Sequence, residues 1–244
     1  AIAGCLGSLA LLALNQQWPS RQQLVPLFIT SVGVVVGFPL LSALALKFIS
    51  AAHSAVFLGL LPISTAFFAV MRAGERPRPA FWLFCLTGSG IVAGFSLIRD
   101  SGGSLTGDVL MLAAVGICGL GYAEGGKLSR VMGGWQVICW ALVLALPVML
   151  PLTYVLAPVS FANVGAGAWL GLAYVCLFSM LIGFFFWYRG LALGGIALVG
   201  QLQLLQPFFA LALAALLLGE TVQAGMVVTA AIVALCVAGA RKTA

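Results

Sequence analysis

The chain has 244 residues, of which 63% are hydrophobic and only 7% are charged, and its mean hydropathy is +1.20. Soluble domains carry about 25% charged residues, so this composition excludes a soluble globule and predicts an integral membrane protein. Basic residues in cytoplasmic membrane loops explain the net charge of +6, and nucleic acid is not an expected partner. The cysteines lie in apolar runs without CxxC or Cys/His spacing, so we expect no metal site.

The apolar runs are continuous, unlike the alternating strands of a membrane barrel, and many reach the roughly 20 residues that cross a bilayer as a helix. The break between the second and third runs, near "KFISAAHS", is the weakest signal and depends on Ser50, His53 and their neighbours. The predicted spans, in chain order, are 1–14, 24–46, 54–72, 80–98, 107–125, 134–156, 165–188, 194–218 and 222–240.

The connections between spans divide the basic residues unequally between two sides. One side holds nine of the eleven lysines and arginines, which makes that side cytoplasmic by the positive-inside rule. We therefore expect a multi-pass protein of the cell inner membrane with a cytoplasmic C-terminus. A first span of 14 residues rises only about 21 Å, less than a bilayer core of about 30 Å. We expect one further helix upstream, which gives ten helices in the full protein.

An internal repeat becomes visible when the sequence is shifted by 145 positions. The matched positions are Pro62 and Pro207, Gly74 and Gly219, and Glu75 and Glu220. The charge assignment places the two Gly-Glu pairs on opposite sides of the membrane, so the copies are inverted, as in many transporters. We predict a first repeat over 1–98, without its first helix, and a second repeat over 107–240. The Gly-Glu pairs and prolines are interpreted as structural corners, with each carboxylate near the N-terminus of the following helix.

Two long segments have the same pattern of an Ala-rich helix, a proline within it and a closing Gly-Glu. They are "ALKFISAAHSAVFLGLLPISTAFFAVMRAGERP" and "GLALGGIALVGQLQLLQPFFALALAALLLGET". These segments, and "GDVLMLAAVGICGLGYAEGGKLSR", resemble the EamA-type transporters of the drug/metabolite transporter superfamily. The resemblance implies an all-α membrane fold of two inverted five-helix repeats that exports small metabolites. It identifies the fold better than the substrate.

Polar residues within membrane spans are costly and are therefore hypotheses for function. Gln203 and Gln206 are spaced i, i+3 and share a helix face, and Pro207 frees a backbone carbonyl one turn earlier. With Gln201, these amides could bind a zwitterion or a polar metabolite without net charge. The alternative is that they form hydrogen bonds between helices.

The remaining candidates each have a structural alternative. His53 is the only histidine and can titrate near neutral pH, and the alternative is an interfacial histidine that faces solvent or headgroups. A catalytic role would need a partner acid or nucleophile, and the neighbouring sequence offers none. Trp187 and Tyr188 could form an aromatic wall or an interfacial belt. Glu124 is expected to pair with Lys127 on the surface. The candidate substrate-binding residues are Gln203, Gln206, Gln201, His53, Tyr122, Trp187 and Tyr188.

The predicted function is export of amino acids or related compounds by alternating access through a cavity between the repeats. Because no carboxylate lies at mid-span, we expect facilitated export, or proton coupling through His53. An intramembrane enzyme or a scaffold subunit are the alternatives, but "TGSGIVAG" lacks the G-x-S-x-G spacing and we expect no enzyme and no cofactor. The expected partners are a small metabolite and the lipid bilayer, and a homodimer is left open.

Overall fold

A computed structural model of the chain describes residues 1–99, 104–157, 160–161, 164–206, 208–209, 212–213, 216 and 224–243. Nearly all of these residues are helical, and none of them lies in a strand. The predicted all-α membrane fold is confirmed. Three of the paired repeat positions, Pro207, Gly219 and Glu220, lie outside the described residues.

The described helices follow the order of the predicted spans. They are α1 (Ile2–Ala13), α2 (Arg21–Ala45), α3 (Ala51–Leu58), α4 (Leu61–Ala73), α5 (Pro79–Arg99), α6 (Leu105–Met132), α7 (Gly134–Leu156), α8 (Ala166–Gly194), α9 (Ile196–Leu205) and α10 (Ala224–Thr243). Five stretches of the described chain are long and apolar enough to cross a membrane, namely Arg21–Ala45, His53–Ala73, Leu105–Met132, Gly134–Leu156 and Ala166–Gly194. The chain is therefore a multi-pass membrane protein.

The weakest predicted boundary is present where the sequence placed it. Helix α2 ends at Ala45 and α3 begins at Ala51, and the side chain of Ser50 accepts a hydrogen bond of 2.9 Å from the backbone N–H of His53. Pro62 lies in the middle of the stretch His53–Ala73, as expected, but a turn at Gly59 and Leu60 interrupts the helix and places Pro62 in the first turn of α4. Proline fits there because the first helical N–H groups have no partner within the helix.

Helix α6 lies at the centre of the fold and packs against α2, α4, α7 and α8. Glycines make this close approach possible. A Cβ atom on Gly119 would overlap Ser64 Oγ of α4, and one on Gly125 would overlap the ring of Tyr188 of α8. Without a hydrophobic effect in lipid, small residues that let helices approach closely are a main source of helix association.

Three further helix pairs are in contact: α1 with α7, α4 with α9, and α5 with α10. In the register of the predicted repeat, each pair joins helices from equivalent spans of the two copies. Twofold-related repeats would produce such pairs around their axis. The domain boundaries at 98 and 107 stay a prediction.

The contact between Gly125 and Tyr188 predicts a difference between two glycines of the same helix. Gly125→Ala should lower the free energy of unfolding by about 1–3 kcal/mol, because the added methyl group overpacks the buried ring of Tyr188. A methyl group added at Gly116 would meet no atom within 4 Å, so Gly116→Ala should be neutral or stabilise by up to about 1 kcal/mol. Thermal unfolding in detergent measures both variants. Equal melting temperatures for them would contradict the close packing of α6 on α8.

Candidate substrate-binding site

A cavity of about 520 Å³ lies between α2, α6, α8 and the end of α9. This volume falls within the range of about 300–1,000 Å³ that is typical of small-molecule sites. Four of the predicted substrate-binding residues line it together, namely Tyr122, Trp187, Gln203 and Gln206. None of the lining residues that the structure describes carries a charge.

Two π-helical segments shape the cavity wall, and sequence reasoning did not find them. They span Ser31–Gly37 of α2 and Val175–Ile182 of α8. Each segment has a glycine at or just after its end, where the backbone comes close to a carbonyl oxygen of the same helix. A Cβ atom on Gly37 would lie 2.5 Å from the Val32 carbonyl oxygen, and one on Gly183 would lie 2.6 Å from that of Phe178. Single π-helical turns within α-helices are frequent at functional sites.

Aromatic rings form one side of the cavity. The ring centroids of Tyr122 and Trp187 are 5.5 Å apart, and those of Tyr122 and Phe184 are 6.2 Å apart. All three residues line the cavity. Rings at these distances pack favourably and present an apolar surface to a bound molecule.

Two buried nitrogen atoms of the cavity residues have no hydrogen-bond partner within the described part of the chain. They are Nε1 of Trp187 and Nε2 of Gln203. Leaving a buried donor unpaired costs about 1–3 kcal/mol, so most such groups in proteins have a partner. Neither nitrogen is accessible to water in this structure, so a ligand with an acceptor group would supply that partner after a rotation of the side chain.

Gln201 and Tyr188 are placed differently from the other candidates. Gln201 is fully buried, and its Nε2 lies 3.3 Å from the Ala197 carbonyl oxygen and 3.5 Å from that of Pro62. It therefore connects α9 to α4, which is the interhelical role that the sequence left open. Tyr188 is fully buried against Gly125, and its ring centroid is 5.6 Å from that of Phe184.

His53 forms a contact that the sequence did not reveal. Its Nε2 lies 3.0 Å from Oδ1 of Asp108, in the first turn of α6, and its side chain is buried beside Phe57. The two residues are 55 positions apart, so only the packing of α3 against α6 brings the acid to the histidine. The expectation that His53 lacks a partner acid is wrong.

The carboxylate of Glu75 binds the start of a distant helix. It accepts hydrogen bonds of 2.8 Å from the backbone N–H groups of Ile196 and Ala197, and the Arg130 guanidinium donates to it at 2.5 Å. Gly74, with φ of 69°, makes the tight turn that places Glu75 there. The expectation that Glu75 lies at the N-terminus of the helix that follows it is wrong. The unsatisfied N–H groups and positive dipole end of α9 attract it instead.

Glu124 is likewise paired differently from the expectation. Its side chain is 1% exposed and accepts a hydrogen bond from Arg72 of α4, whereas Lys127 is exposed. A carboxylate on the packed face of α6 must be paired to remain charged, and α4 supplies the arginine. The predicted surface pair of Glu124 with Lys127 is wrong.

The contacts of Glu75, Glu124 and Tyr188 join the ends of four helices. They involve the C-terminal ends of α4, α6 and α8 and the N-terminal end of α9, which is the side that the charge distribution assigns to the cytoplasm. The pairs Arg72–Glu124 and Arg130–Glu75 and the packing of Tyr188 on Gly125 hold these helix ends together. Because the predicted orientation puts these ends on the cytoplasmic side, we call this group of contacts the cytoplasmic closure.

Comparison with known proteins identifies the family. Residues 105–240, more than half of the chain, match the model of the EamA-like transporter family. The uncharacterized transporter YdeK of Bacillus subtilis (strain 168) is 58% identical over 244 residues, which is all of this chain and 85% of that protein. A solved crystal structure with 20% identity has the same fold, with a TM-score of 0.80 over 98% of this chain and 83% of that one. The chain is a membrane transporter that belongs to the EamA-like transporter family.

Proposed function

We propose that the chain exports small zwitterionic or uncharged metabolites, amino acids or related compounds, across the cell inner membrane. The observation that carries this proposal is the pair of unpaired donors, Trp187 Nε1 and Gln203 Nε2, in a cavity whose described lining residues carry no charge. A carboxylate or carbonyl group of the substrate would accept from these donors. The aromatic wall of Tyr122, Phe184 and Trp187 would contact its apolar part.

The absence of charged side chains among the described lining residues favours zwitterionic or uncharged substrates over strongly charged ones. A nucleotide sugar carries phosphate charges, which require basic side chains at the site. Among the described lining residues, the amides of Gln203 and Gln206 are suited instead to a molecule with little or no net charge. A zwitterion fits because its two charges compensate each other.

Transport would proceed by alternating access, with the cytoplasmic closure as the part that opens. Its ion pairs connect α4 and the loop after it to α6, and Glu75 also accepts hydrogen bonds from the start of α9. The packing of Tyr188 on Gly125 connects α6 and α8. Helices α6, α8 and α9 also carry the cavity residues Tyr122, Trp187 and Gln203. Displacement of these helices would open the cavity to the cytoplasm. The contacts between repeat-equivalent helices support an exchange of roles between two inverted halves.

If the substrate accepts hydrogen bonds from Trp187 Nε1 and Gln203 Nε2, removing either donor should weaken its binding. Trp187→Phe keeps most of the ring and removes the N–H, and Gln203→Leu removes the amide. Each should raise KM for the transported amino acid about tenfold, which corresponds to about 1.4 kcal/mol for one lost hydrogen bond. Counterflow in proteoliposomes with a panel of labelled amino acids measures this.

Leu202→Ala is the matched control, because Leu202 is on the same helix but half exposed, and its replacement should leave KM unchanged. Wild-type KM values for Trp187→Phe and Gln203→Leu, or no transport of any amino acid by the wild type, would contradict the proposed site.

The cytoplasmic closure predicts that Glu75→Gln favours the state open to the cytoplasm. The variant loses the ion pair with Arg130 and one of two helix-capping bonds, and the equilibrium should shift about tenfold. Spin labels at Met71→Cys on α4 and Lys127→Cys on α6, both exposed positions, report the separation across the closure once the native cysteines are replaced. The longer-distance population should increase in Glu75→Gln.

Arg78→Gln, which removes an exposed charge close to Glu75, should leave the distance distribution unchanged. An identical distribution in wild type and Glu75→Gln would argue that these contacts do not hold the closure.

Proton coupling is a second candidate mechanism, and the contact of His53 with Asp108 favours it over simple facilitated export. If this pair carries the proton, a pH gradient should stimulate wild-type transport into liposomes. His53→Gln and Asp108→Asn should each abolish the stimulation but retain counterflow. If the pH gradient still stimulates both variants, the His53–Asp108 pair is not the proton carrier. If it does not stimulate the wild type, transport is facilitated export.

A further inference from the structure

A second cavity, of about 740 Å³, lies between the ends of α1, α6 and α8 and the start of α7. Arg130 and Arg189 line it, together with Trp135 and the apolar residues Leu14, Phe186 and Leu193. None of its described lining residues is acidic. This cavity is distinct from the proposed substrate site, although its Arg130 also pairs with Glu75 in the cytoplasmic closure.

One exposed face of α8 lines the cavity with apolar and basic side chains. Phe186, Arg189 and Leu193 are spaced i, i+3 and i+7 and therefore share that face. Phe186 is 72% and Leu193 78% exposed, so this surface has an apolar stripe with a cation in it. An exposed apolar stripe on a membrane helix is suited to contact with acyl chains.

The charges of the cavity are available to an anion. Arg189 is exposed and has no hydrogen-bond or ion-pair partner within the described part of the chain. Arg130 donates one N–H to Glu75 but remains 37% exposed, so its other donors are accessible. Guanidinium groups bind phosphate oxygens through paired N–H donors, and both arginines are on the side that is predicted to be cytoplasmic.

We infer that this cavity binds the headgroup of an anionic phospholipid from the cytoplasmic leaflet. Arg189 and Arg130 would contact the phosphate, and Phe186 and Leu193 would contact an acyl chain. Trp135, at the start of α7, would lie at headgroup level, where amphipathic rings are enriched. Basic pockets between membrane helices on the cytoplasmic side are suited to anionic headgroups. A lipid fits better than a free anion because the cation and the exposed apolar stripe are adjacent.

Native mass spectrometry of the purified transporter tests this inference. Phosphatidylglycerol and phosphatidylcholine with identical acyl chains are added separately, and sn-glycerol 3-phosphate is a third arm. The wild type should retain phosphatidylglycerol in preference to phosphatidylcholine. Arg189→Gln should weaken retention of phosphatidylglycerol about fivefold, the effect expected for one basic side chain near an anionic membrane surface. Arg78→Gln, an equal change of charge outside the cavity, should have no effect.

Three outcomes of the lipid experiments would overturn the inference. They are equal retention of the two lipids by the wild type, unchanged retention in Arg189→Gln, and an equal loss in Arg78→Gln. Binding of glycerol phosphate as tight as that of the lipid would show a site for a free phosphate ester, and would also overturn it. Arg189 is on the surface, and an unchanged melting temperature of Arg189→Gln would show that the variant folds normally.

Discussion

The first backbone N–H groups of a helix have no partner within that helix, so another part of the protein or water must supply one. At α9 the partner is the carboxylate of Glu75, which accepts from Ile196 and Ala197 and is itself held by Arg130. The position of α9, and therefore of Gln203 at the cavity, depends on this cap. One carboxylate thus connects the loop after α4, the end of α6 and the start of α9.

The same interaction relates structure to transport. A charged cap is strong in a medium of low dielectric constant, but it can be lost as a unit when helices separate. Movement of α9 relative to α6 would break the hydrogen bonds of Glu75 to α9 or its ion pair with Arg130. In the proposed alternating-access cycle, breaking this group of contacts would take the transporter from one arrangement to the other.

Much of this fold could be predicted from the sequence, because lipid imposes simple rules on composition, span length and loop charge. The helix break at Ser50 and four cavity residues followed from those rules. The partners of Glu75, Glu124 and His53 could not be predicted, because each lies more than 50 positions away and depends on which faces of α3, α4, α6 and α9 meet. The π-helical segments were also missed, although Pro39, which lacks a backbone N–H, is a local signal in α2.

A structure of the transporter with a transported amino acid bound tests the central claim most directly. The account predicts density for the substrate in the cavity between α2, α6, α8 and α9. Its carboxylate should lie within hydrogen-bond distance of Trp187 Nε1 and Gln203 Nε2. Substrate density outside this cavity, with both nitrogen atoms still unpaired, would contradict the account.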